Sequence, residues 1–225
     1  MVQLMLWLVT IVAVLSFGCG SGAEVRKTGR SWDILQSVSA EELWRRGGAL
    51  AQRGDYTRAE QYLLVARDKG VPEERVLPWL VSVCVRASRL SAAVSYAEPY
   101  LERHPDDWPL RTLVGSLHYA LGRLNEARKH LEKAVELAKK DPRLREGKAP
   151  AETHYLLAVV LRDQGEDNLA REHFSAYLDL NPRGEHAAEV RAILEEGNQL
   201  RHSHASERPA PLRLADPGSS GHTSN

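Results

Sequence analysis

An alanine returns along this chain at a near-constant interval. It closes Tyr56-Thr57-Arg58-Ala59, Leu90-Ser91-Ala92-Ala93, Leu124-Asn125-Glu126-Ala127 and Asp167-Asn168-Leu169-Ala170, so successive alanines lie 34, 34 and 43 residues apart. A fixed period in this range means stacked copies of one supersecondary unit, which excludes most other folds at once. Other slots keep the same phase. Counted from starts at 40, 74, 108 and 151, the eighth slot holds Gly47, Val81, Gly115 and Ala158, where two helices must cross closely. The fifteenth holds Gly54, Ser88, Gly122 and Gly165, as expected for a left-handed helix cap. The twenty-fourth holds Leu63, Ala97, Leu131 and Phe174. Pro72, Pro105, Pro142 and Pro182 close the units, because proline cannot continue a helix.

With this period and these slots, residues 40–184 resemble the tetratricopeptide repeat (TPR) family. The resemblance implies an all-α TPR α-solenoid of about four helix-turn-helix repeats, at 40–73, 74–107, 108–141 and 151–184, with a C-terminal capping helix. The segment Pro142 to Pro150 (PRLREGKAP) is a nine-residue insertion and reads as a basic, proline-bounded loop. The sequence departs from the family at the eleventh slot, where the usual aromatic is replaced by Leu50, Cys84, His118 and Leu161. Pro142 comes three positions late, which predicts a longer second helix in the third repeat. Ser39 and Glu42 form a capping-box pattern before the first helix. Residues 185–200 predict the capping helix, with Ala188, Ala192 or Ile193 and Leu200 inward. A Ser-, His- and Pro-rich stretch, 201–225, predicts a disordered tail.

The opening segment has a different composition. All 30 Lys and Arg and all 30 Asp and Glu fall after Ala23, and Leu4 to Phe17 is an apolar run of signal-peptide length, short for a membrane span. Leu15-Ser16-Phe17-Gly18-Cys19 resembles the lipobox of bacterial lipoproteins, in which the cysteine becomes the lipid-bearing first residue. The resemblance implies a signal at 1–18 and a lipidated Cys19 with a tether through residue 39, where Trp32, Ile34 and Leu35 could pack as an N-terminal cap. Gly20 after the cysteine, in place of a retaining Asp, points to the periplasmic face of the outer membrane, with the inner membrane as the alternative. Leu15 stands four residues before Cys19 where the family has three, and no Lys or Arg precedes the apolar run. An uncleaved anchor therefore stands as a second reading, with Arg26, Lys27 and Arg30 holding the body in the cytoplasm. Lipidation would use one of the two cysteines and leave Cys84, on a face expected to be buried, without a disulfide partner.

Equal numbers of acidic and basic residues argue against a nucleic-acid binder. No HExxH, P-loop or GxSxG is present, and the glycines at 18, 20 and 22 lie at the signal junction, so no enzyme, cofactor or metal centre is expected. His202 and His204 form an HxH that reads as solvated tail. His130 and His173 share the twenty-third slot with Tyr62 and Tyr96, which reads as one structural environment, and His118 fills a core slot.

In TPR proteins, slots 2, 5, 9, 12 and 13 of the first helices face a concave groove. The resemblance therefore implies a partner-binding groove at Trp44, Gln52, Ser82, Arg86, Thr112, Ser116, Tyr119, Tyr155, Arg162 and Asp163, with Ala51, Val85 and Val159 on the same face. Aromatics and arginine suit a peptide or partner helix. The carboxylate clamp of chaperone-binding relatives is missing, because its slots hold Trp44 and Gly48. The expected function is a non-enzymatic TPR lipoprotein of the cell envelope, a scaffold or assembly factor for protein clients. Its plan is similar to the pilotins of type IV pili, though those commonly carry six repeats, and to repeat lipoproteins of barrel assembly, peptidoglycan control and gliding motility. The alternatives are an inner-membrane-anchored cytoplasmic adaptor and a regulatory subunit of an enzyme.

Overall fold

The computed structural model describes residues 37–144 and 150–206, with side chains described through Gln199. The expected signal with Cys19, most of the expected tether, residues 145–149 and the chain beyond Ser206 lie outside the described residues. Among the described residues all regular structure is helical: α1 (Ala40–Gln52), α2 (Tyr56–Asp68), α3 (Glu73–Arg86), α4 (Leu90–Arg103), α5 (Trp108–Ala120), α6 (Leu124–Ala138), α7 (Ala151–Asp163), α8 (Asp167–Leu180) and α9 (Ala187–Ser206). None of these helices is long and apolar enough to cross a membrane. The chain divides after Pro72 into two compact units, within one residue of the first expected repeat boundary.

The first unit contains the α1–α2 hairpin. Ser39 caps α1 by accepting the Glu42 backbone N–H at 3.3 Å, while the Glu42 carboxylate turns to Arg46 Nε at 2.7 Å and to Arg45. The expected capping box is thus realised on its serine side, and the glutamate serves i,i+3 and i,i+4 ion pairs instead. The crossing is built around Gly47. A Cβ added there would stand 2.8 Å from Leu63 Cγ and 3.3 Å from the Ala59 carbonyl oxygen, so no larger residue fits without displacement. Ala59, Leu63 and Leu43 are each 0% exposed.

The second unit stacks three hairpins, α3–α4, α5–α6 and α7–α8, and closes them with α9. The α5–α6 crossing repeats the first, since a Cβ on Gly115 would lie 2.7 Å from Leu131 Cγ and 3.3 Å from the Ala127 carbonyl oxygen. The other two repeats differ at these slots. In the second, the larger Val81 is matched by the small Ala97, and both lie in one core cluster. In the fourth, both slots are larger, Ala158 for glycine and Phe174 for leucine, and the two share a core cluster. All four side chains stay buried.

All four fifteenth slots adopt positive φ: Gly54 82°, Ser88 58°, Gly122 71° and Gly165 80°. The space around the three glycines is open, so the preference there is conformational and not steric. Ser88 occupies the same conformation with a side chain, at a backbone cost that glycine avoids.

As the late Pro142 predicts, α6 is the longest of the four second helices, with 15 residues against 13 in α2 and 14 in α4 and α8. A turn held by Asp141, which accepts Trp108 Nε1–H at 2.9 Å and Arg143 N–H at 2.9 Å, follows it. Two expectations about α9 need correction. Of the residues expected inward, Ile193 packs on the core but Ala188 and Ala192 are exposed; Ala187 and Val190 are buried instead, and Leu194 packs beside Ile193. Larger side chains on that stripe bury more apolar surface than alanines alone would. The helix also runs through Ser206, six residues into the expected tail, since the first helix breakers there are Pro209 and Pro211.

Each slot-23 histidine faces a second buried imidazole. His130 stacks on His118 with centroids 5.3 Å apart, and His154 Nδ1 lies 2.8 Å from His173 Nδ1. Burial and the neighbouring His173 and Lys139 push His154 down to about 4, and burial and Lys139 lower His173, partly offset by Glu172 and Glu132. Both rings are neutral at pH 7, and the unfolded chain binds more protons as pH falls from 6.5 towards 4. Stability is therefore full above pH 6.5 and is lost through that window, by about 2 kcal/mol at pH 4.5. Urea titrations at pH 7 and 4.5 will show this loss. It should be reduced by most of that amount in H154L/H173Y, which carries the residues of the first hairpin at those slots, Leu43 and Tyr62, while the smaller part due to His130, also lowered by burial and His118, remains. At the caps, Ser88→Gly should stabilise by about 0.5 kcal/mol and Gly122→Ala destabilise by about 1 kcal/mol. Melting curves of opposite sign would contradict the conformational account.

Candidate functional site

The first helices supply the face on which the candidate residues sit. In the first unit α1 carries Trp44, half-buried, and Gln52, exposed, while Ala51 is buried at 4% exposure and cannot reach a partner. In the second unit α3 presents Ser82, Val85 and Arg86, all exposed. Thr112, Ser116 and Tyr119 lie at intermediate depth on α5, and Tyr155 and Arg162 on α7 beside exposed Asp163. Val159, expected on this face, is 8% exposed and belongs to the core.

Hydrogen bonds divide these residues into presenting and structural groups. Thr112 Oγ1 donates to the Trp108 carbonyl at 3.1 Å and lies 3.2 Å from Thr153 Oγ1 on α7, and Ser116 Oγ donates to the Leu113 carbonyl at 2.7 Å. Both hydroxyls are therefore spent within the fold. Tyr119 reaches from α5 to α7 and donates to Asp163 Oδ2 at 2.8 Å, a bond that with burial raises its phenol above the ordinary range. The slot-12 tyrosine and the slot-13 aspartate of the next repeat thus meet across the hairpin boundary. Arg162 lies 5.8 Å above the Phe174 ring and 3.9 Å from Asp163. The result is a patch of one aromatic hydroxyl, one carboxylate and one guanidinium, offering both donors and acceptors.

Tyr155 does something else. Its ring stacks on His186 at 3.8 Å and 4°, and it lies 5.6 Å from Tyr177 and 6.1 Å from Phe174. Its hydroxyl donates to Glu189 on α9 at 3.2 Å, and burial with the Glu189 charge pushes it up to about 12. Tyr177 in turn accepts the His186 backbone N–H at 3.0 Å, so an aromatic cluster ties α7 and α8 to the turn before α9. Sequence reasoning missed His186 and Glu189. They are 31 and 34 residues from Tyr155, outside the 34-residue unit that defined the slots, and only the amphipathic pattern of α9 hinted that a helix would arrive there.

The fold defined by these hairpins is that of the tetratricopeptide repeat proteins. Residues 108–183, the third and fourth repeats, match the tetratricopeptide repeat family model. No curated protein matches the sequence. Solved structures with the same fold include YrrB, described as a TPR protein with an unusual peptide-binding site, at 18% identity and a TM-score of 0.57 over 72% of this chain and 77% of that one. MamA is 17% identical with a TM-score of 0.61 over 74% and 86%. A tetratricopeptide repeat protein from Parabacteroides merdae is 21% identical with a TM-score of 0.60 over 75% and 67%. At these identities the likeness speaks for the fold alone.

The two tyrosines should separate on substitution. Tyr155→Ala should destabilise by about 2 kcal/mol, because it empties a stacked aromatic cluster, whereas Tyr119→Phe should cost less than about 1 kcal/mol. Chemical denaturation of the two variants measures the difference, and equal losses would place Tyr119 among the structural residues.

Proposed function

We propose that this protein is a non-enzymatic interaction scaffold, held at the envelope membrane by lipid on Cys19, which captures a protein client on the first-helix face of its repeats. The observation that carries this reading is the Tyr119–Asp163–Arg162 patch. Two helices from successive repeats place an aromatic, an acid and an arginine side by side, each partly exposed, a composition that supports peptide or partner-helix recognition. Exposed Val85 and Leu113, 36% and 40%, add apolar area on the first helices of the second unit. YrrB, of similar fold, is described as having a peptide-binding site, which is consistent with a peptide-type client here.

The leader supports the location. Its apolar run, the small residues around Cys19 and the absence of charge before Glu24 suit a lipoprotein signal, and Gly20 suits outer-membrane sorting with the repeats in the periplasm. Anchoring would concentrate a weakly binding groove and its client on one surface and so raise occupancy without new contacts. Assembly of a secretin or pilus, or a part in gliding motility, is the specific role that the pilotin-like plan suggests.

A photo-crosslinking amino acid at position 119 or 86 should capture one discrete envelope protein in living cells, whereas the same probe at Lys133, exposed on the second helix α6, should not. Equal capture from both faces would defeat the groove assignment. Palmitate labelling should disappear in Cys19→Ala, and a C-terminal reporter should be active in the periplasm; retained labelling or a cytoplasmic reporter would favour the uncleaved-anchor reading.

A further inference from the structure

The α4–α5–α6 packing brings together three side chains that the repeat slots gave no reason to associate. Glu98 on α4 places Oε1 3.1 Å from His118 Nε2 on α5, and His118 stacks on His130 of α6. One ligand atom from each of the three lies within 4.8 Å of the others. We propose that Glu98, His118 and His130 form a binding site for a borderline divalent transition ion, Zn2+ being the reference ion, which clamps α4 to the α5–α6 hairpin.

Two imidazoles and one carboxylate are a donor set that suits Zn2+ and its neighbours in the series and not Ca2+ or Mg2+, which require oxygen. Three protein ligands leave a fourth position for water. The site opens on a cleft of about 910 Å3 lined by Glu98, Glu102, Arg111, His130 and Glu132, which provides access for the ion and room for that water. Around tetrahedral Zn2+ the ligand atoms stand about 3.3 Å apart, so the Glu98–His118 pair already has the required span and His130 needs to close by no more than roughly 1.5 Å.

Two ring nitrogens beside the cluster also lack partners. His118 is 3% exposed, and its Nδ1 and that of the partly buried His130 have no hydrogen-bond partner, an unusual state for two neighbouring imidazoles. Arg111 and Lys129 repel a cation; the other cleft cations, Arg128 and Lys133, are paired with Glu132 and Glu136, which leaves Glu102 and the half-exposed Glu98, whose side chain is 46% exposed, to offset them.

The test uses the full chain carrying H202Q/H204Q, which removes the HxH beyond the core as a competing site. Calorimetric titration should show one Zn2+ bound per chain, and Co2+ should produce the visible absorption of a low-coordinate nitrogen–oxygen site. E98Q and H130Q should each weaken Zn2+ binding at least tenfold and abolish the rise in melting temperature that Zn2+ causes in the parent. H173Y, altering the other histidine pair, should bind as the parent does. Failure of the parent to bind Zn2+, or E98Q binding with parental affinity, overturns the proposal. Because Glu98 is half exposed, E98Q carries the test even where H130Q fails to fold.

Discussion

Everything in this molecule depends on how closely two antiparallel helices can approach at one crossing point. At Gly47 and Gly115 the approach is close enough that a single added carbon would meet a leucine side chain at under 3 Å and the carbonyl oxygen of the slot-20 alanine at 3.3 Å. Backbones this near bury the slot-20 alanine and the slot-24 side chain completely, and the dispersion gained there comes from many small contacts at native density. The distance between helices then sets how far apart successive first helices stand, and hence which side chains can meet between repeats.

The crossing varies in the other two repeats. Val81 with Ala97 exchanges volume within one cluster, whereas Ala158 with Phe174 is larger at both slots, and all four side chains remain buried. The second repeat is the most altered, with Val81 at the crossing, Ser88 in the left-handed cap and Pro78 and Pro99 inside its two helices. Each proline removes one backbone hydrogen bond of its helix, and the two helices of this repeat also pack less closely on one another than those of the other three.

The same geometry sorts polar residues between structure and function. On the first-helix face, hydroxyls that can reach their own helix carbonyls are used there, as at Thr112 and Ser116. Groups long enough to cross to the next repeat remain at the surface, and Tyr119 with Asp163 is the clearest case. Slot 23 holds imidazoles in the third and fourth repeats where the first two have tyrosine. Two histidine pairs follow, one hydrogen-bonded ring to ring and one stacked, with Glu98 bonded to its His118.

The periodicity by itself determined the hairpins, their boundaries to within a few residues, the crossing slots and the left-handed caps. These are local requirements: a tight crossing admits only small residues, a positive φ favours glycine, and a helix must stop before proline. It also placed His118 in the core. It could not tell that Ala51 and Val159 are covered, that α9 turns Ala187 and Val190 inward, or that His186 lies flat on Tyr155. Nor could it pair His118 with His130 and Glu98, because a slot number records position within a repeat and carries nothing about the neighbour packed against it. Those outcomes depend on the rotation and separation of neighbouring helices, which side-chain volumes in contact set together, and only the tertiary structure decided them.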